Sequence, residues 1–221
     1  MATASGSRKG GYPSSAGARR EFVAKHLVYE IEMVLNTTAL LARVSKRIEK
    51  LKAKAEGALS IQEKVQLVTY YSLLESWTIH NRLLSEFFQP RLDGRTGLPF
   101  VDGRRGHPAT AAAEDFVRNH KEWVIWRAGE ERLPYKRLTN ERIAHLSYGR
   151  LSPQTPWKME YAIENMKAAR RFVSAADEAM VAKATLDRLR PMLDLFLSGD
   201  WVRFVNRLPP PDFPPADASS G

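Results

Sequence analysis

The stretch SIQEKVQLVTYYSLLESWTIHNRLLSEFF, residues 60–88, decides the fold. Ser60-Ile61-Gln62-Glu63 has the form of a capping box: a hydroxyl at the N-cap reaches the amide three residues on, and the Glu there reaches back. A helix therefore starts at Ile61. Leu67, Tyr70, Leu74, Trp77, Asn81, Leu84 and Phe88 then recur at alternating steps of three and four, the spacing of one helix face. Leu73 and Phe87 widen that face. Neither Gly nor Pro intervenes before Pro90, so the helix runs to about Phe88. So long a helix with so wide an apolar arc needs more than one partner to cover it, which predicts a bundle.

Upstream, Leu27, Ile31, Val34, Thr38 and Leu41 keep the same period, and Val44, Ile48 and Leu51 continue it after a small phase shift. A first helix is expected over about residues 20–54. The Lys and Arg of its second half suit the C-terminal end of the helix dipole, and Gly57 supplies a stop. Downstream, residues 89–108 read as a loop with Asp-Gly-Arg at 93–95 and 102–104. Thr110 can cap a helix running to about Trp126. Further helices are expected over residues 140–148, over 156–173 behind a Thr155-Pro156 start, and over 176–189. Pro191 should kink or end the last of these, leaving 192–204 as a final apolar segment interrupted at Gly199. Strand-like alternation is missing; residues 98–101 allow a small hairpin arm at most. The predicted class is all-α: a helical bundle of about five to six helices around a long central helix. Residues 1–20, rich in Gly, Ser and Ala, read as a disordered basic tail, residues 21–206 as one folded domain, and residues 207–221 as a Pro-rich disordered tail.

A length of 221 residues and a hydrophobic fraction of 43% suit one domain with a real core. Nothing approaches the ~20 apolar residues of a membrane span, and the N-terminus has no signal-peptide core, so no membrane partner is expected. Zero cysteines exclude a disulfide framework, a thiolate nucleophile and a cysteine zinc site, which fits a cytoplasmic protein. The formal net charge is +9, and Arg8, Lys9, Arg19 and Arg20 contribute to it from a tail without acids. Such a balance attracts phosphates and nucleic acid, although an ordinary basic surface reads the same way.

Several polar residues stand where chemistry is conceivable. His145, in Asn140-Glu141-Arg142-Ile143-Ala144-His145-Leu146, can act as base, acid or phosphate contact. Arg142 lies one helical turn before it, Tyr148 closes the same helix, and Arg150 follows. A His that moves protons and an Arg that stabilises a charged phosphorane are what cleavage of a phosphodiester by a neighbouring 2′-hydroxyl needs. The plainer role is a histidine bonded between helices. His80, Asn81 and Arg82 break the apolar face of the long helix. Asn81 falls in mid-stripe, so it either sets helix register or faces a polar pocket. Arg82 is one turn from Glu86 and can pair with it. Glu114 and Asp115 suit a helix N-terminus, and the spacing of Asp102, His107, Asp115 and His120 matches no metal-ligand motif. Arg91, Arg95, Arg104 and Arg105 are either phosphate contacts or solvated surface. With no phosphate-loop, Ser-His-Asp or zinc motif, neither cofactor nor metal is expected.

Arg142-Ile143-Ala144-His145 resembles the end of the signature of the HEPN superfamily, an Arg followed after a short spacing by Ala-His. The long helix ending Ile79-His80-Asn81-Arg82-Leu83-Leu84-Ser85-Glu86-Phe87-Phe88, then a loop and an Ala-His helix, is similar to a group of bacterial proteins associated with that superfamily. The resemblance spans about residues 27–175, and its specific part is about twenty residues. It implies a small all-α bundle, often dimeric, with an RNA-related or defence-related role. RNA and a second copy of the chain are then the expected partners. It makes His145 the catalytic residue of a metal-independent ribonuclease. Asn140 stands where the superfamily's Arg is usual, so the guanidinium would come from Arg142, Arg150 or Arg82. Without it the chain is a non-cleaving relative. The alternative is an interaction or scaffold module, dimeric and without catalysis, in which His80, Asn81 and His145 are internal polar glue.

Overall fold

A computed structural model of the protein describes residues 16–54, 56–89, 111–129 and 159–200. Among them the fold is all-α. Helix α1 (Ala16–Phe22) passes through one π turn, Val23–Leu27, into α2 (Val28–Lys52). A short 3-10 turn (Glu56–Ala58) leads to α3 (Ile61–Phe88). A second 3-10 turn (Ala113–Asp115) precedes α4 (His120–Gly129), and α5 (Glu160–Ala175) and α6 (Lys183–Leu197) complete the description. No described helix is long and apolar enough to cross a membrane.

The capping box predicted for α3 is present. Ser60 Oγ accepts from the Glu63 amide at 3.2 Å, and Glu63 Oε2 accepts from the Ser60 amide at 3.0 Å. At the other end Gln89 is extended, φ −76° and ψ 141°, the conformation that a residue before proline favours. The expected inner face is the one that packs: Trp77, Asn81, Leu84, Phe87 and Phe88 are buried. Their main neighbour is α2, with α5 also against α3. Around Phe172 of α5 the rings of Phe87, Phe88 and Trp123 gather at centroid distances of 5.7, 6.1 and 6.1 Å. Offset and edge contacts of this kind add to the area they bury.

Four local expectations are revised. The first helix starts at Ala16 rather than at residue 20. There Arg20 donates to the carbonyls of Ala179 and Glu178 at 2.7 and 3.1 Å, a tertiary anchor. Gly57 lies in the 3-10 turn, and α2 already ends at Lys52. The helix expected up to Trp126 starts only at His120. Phe116 to Arg118 run alongside Ala175 to Asp177, with one antiparallel bridge between Val117 and Ala176. Asn119 then caps α4, its Oδ1 accepting from the Glu122 amide at 3.1 Å. The last helix starts at Lys183, because Asp177 closes a turn by accepting from the amides of Met180 and Val181. It also continues through Pro191 to Leu197. Pro191 sits on the exposed side, where water can satisfy the carbonyl that a proline leaves unbonded. Gly199, at φ +75°, provides the left-handed residue just beyond the end. The helix and hairpin arm expected at residues 140–148 and 98–101 lie outside the described residues.

Candidate functional site

Each residue of a helix turns by about 100°, so His80, Asn81 and Arg82 point to three sides of α3. Asn81 faces inward and is fully buried. Its Nδ2 donates to the Trp77 carbonyl at 2.9 Å. Asn165 of α5 donates to Asn81 Oδ1 at 3.0 Å and to the Asn81 carbonyl at 2.9 Å. One turn away, Trp77 Nε1 donates to Thr38 Oγ1 of α2 at 2.8 Å. A buried line of polar bonds thus joins α2, α3 and α5. Of the two roles open to Asn81, the geometry fits the setting of register.

His80 lies at the edge of the α2–α3 seam. Its Nδ1 stands 2.5 Å from Glu30 Oε2, with the two side chains 13% and 20% exposed. Tyr29 meets the imidazole edge-on at 5.6 Å. An ionised carboxylate only accepts, so this pairing selects the tautomer with hydrogen on Nδ1 and leaves Nε2 as the second ring nitrogen. Arg82 donates to Glu86 at 3.1 Å, the pairing its spacing suggests. His80, Asn81 and Arg82 line neither the cavity beside Arg118 and Arg171 nor the one beside Ile125 and Trp126. Asn140, Arg142, His145, Tyr148 and Arg150 lie outside the described residues, as do Asp102, His107 and the four loop arginines.

A different cluster forms between α4 and α5. Lys167, Arg170, Arg171 and Ser174 follow the i, i+3, i+4, i+7 spacing of one helix face, and Arg118 joins them from the segment before α4. Together with Glu122 and Trp123 they line a cavity of about 570 Å³. Arg118 donates to the Ser174 carbonyl at 2.7 Å, and Arg170 to Ser174 Oγ at 2.8 Å and to Asp194. Arg171 pairs with Glu122 at 3.1 Å and lies over the Trp126 ring, 5.1 Å from its centroid. Sequence reading missed this site. The α5 spacing was legible, but nothing local announces that Arg118, about fifty positions earlier, lies beside it.

The outward side of α3 has its own pattern. Ile61, Val65, Val68, Ile79 and Leu83 are between 42% and 83% exposed, and Tyr71 adjoins them. Lys64 and Glu75 are the charged residues among the exposed positions of this helix. No protein family, curated protein or solved structure matches this chain.

Proposed function

We propose that this chain is an interaction module that pairs with a second copy of itself along α3. The observation that carries this reading is the outward seam of that helix. Ile61, Val65 and Val68 follow steps of four and three, as in a helix–helix seam, and Ile79 and Leu83 resume the face eleven residues on, past Ser72. Two pairs are symmetric about Ser72: Ile61 and Leu83 lie eleven residues to either side, and Val65 and Ile79 seven, while Val68 mirrors Ser76. An antiparallel two-fold pairing sets Ile61 against Leu83 of the partner subunit and Val65 against Ile79 of the partner subunit. The small Ser72 then lies on the axis, where close approach is needed. Self-complementarity is what an isologous interface requires. The bonds of His80 to Glu30 and of Asn81 to Asn165 support the same reading, since both join one helix to another.

Sedimentation velocity on the full chain tests it. A dimer is expected, and Val65→Glu with Ile79→Glu should convert it to a monomer of unchanged helical content. A chain that stays monomeric at 100 μM would sink the proposal.

The second reading is an RNA-related or defence-related role as a degenerate ribonuclease. Ala144-His145 and the net charge of +9 support it. Mixed RNA incubated with the protein and with His145→Ala should be cut by the first and spared by the second. Equal cleavage by both, or none by either, removes the nuclease.

A further inference from the structure

We propose that the basic cleft between α4 and α5 binds the phosphate group of a small phosphorylated molecule. Four cations approach it, and three are already set in place. Arg170 is fixed by Asp194 and Ser174, and Arg118 by the Ser174 carbonyl. Arg171 is fixed between Glu122 and the Trp126 ring. Guanidinium groups held in this way lose little freedom on meeting an oxyanion, and their planar forks suit phosphate. Lys167, Arg170 and Arg171 each share a carboxylate, with Glu164, Asp194 and Glu122. These ion pairs are solvent-exposed, and exposed pairs are weak enough for a dianion to compete with them. Arg118 has no carboxylate partner among the described residues.

Trp123 lines the cleft and is itself only 2% exposed, so a fixed ring backs the cations. The organic part of the ligand has a place as well. A neighbouring cavity of about 350 Å³ shares Asn119 and Glu122 with the cleft and is walled by Ile125 and Trp126. The cations concentrate on one face of α5, whereas a nucleic-acid strand needs a basic groove that tracks its backbone.

Titration calorimetry and tryptophan fluorescence on the full chain test the site, with inorganic phosphate, adenosine monophosphate and a ten-residue oligouridylate as probes. Saturable one-to-one binding of adenosine monophosphate is expected, displaced by inorganic phosphate. Arg118→Gln and Arg171→Gln, both exposed substitutions, should each weaken it about tenfold, the scale of one charge-assisted hydrogen bond. No saturable binding of either small probe at 10 mM overturns the proposal, as does binding that the two arginine variants leave unchanged. Oligouridylate that binds more tightly than adenosine monophosphate, with the same dependence on Arg118 and Arg171, overturns the small-molecule source in favour of a strand.

Discussion

Asn81 is the residue whose environment says most about the bundle. An amide in mid-stripe announces itself in the sequence, because the stripe residues on either side of it, Trp77 and Leu84, are apolar. What it meets does not. Its partner Asn165 is 84 residues away, and no local pattern links the two. The consequence is measurable. Asn165→Ala leaves Asn81 Oδ1 buried without its donor, which should lower stability by about 1–3 kcal/mol in urea denaturation. Asn81→Leu combined with Asn165→Leu removes donor and acceptor together, so the pair should recover part of that loss. Stability unchanged in Asn165→Ala would mean that the amide pair does not hold the helices. His80 follows the same logic. Its break in the apolar face was legible, but Glu30, 50 residues earlier, was not.

At the scale of the element, α3 is the most legible part of the protein. Its start and end are decided within a few residues, by the Ser60–Glu63 box and by Pro90. Ser60→Ala should cost about 0.5–2 kcal/mol, read from the denaturation midpoint. The cap also carries a pH dependence. The hydrogen bond from Lys54, followed by that from the Ser60 amide, holds the Glu63 carboxyl below the usual carboxylate range. A carboxyl lowered in the folded state stabilises fully above its unfolded pKa and loses that effect as pH falls through its folded pKa. Amide protection in the first turn of α3, read as exchange relative to the intrinsic rate at each pH, should therefore fall on acidification below the usual carboxylate range, and Glu63→Gln should flatten this response. An identical acid profile in both proteins would contradict the assignment. The later elements are less legible. The start of α4 depends on the pairing of Phe116 to Arg118 with Ala175 to Asp177, and periodicity carries no trace of that pairing.

For the whole molecule, the core converges on Phe172, where rings from α3 and α4 meet one from α5. Phe172→Ala should destabilise the fold by about 3–5 kcal/mol, seen as a large fall in Tm, because the surrounding rings cannot close the cavity fully. A small change would show that the rings repack. The sequence by itself determined that the fold is helical, where α3 starts and stops, and which side of that helix turns inward. Those outcomes depend on caps, proline and periodicity, which act over a turn or two of chain. Only the tertiary structure decided that Asn81 is bonded rather than open to a pocket, that His80 meets Glu30, and that Arg118 joins the basic face of α5. Each of these joins residues dozens of positions apart, brought together by the burial of apolar faces, and no local rule encodes which faces meet.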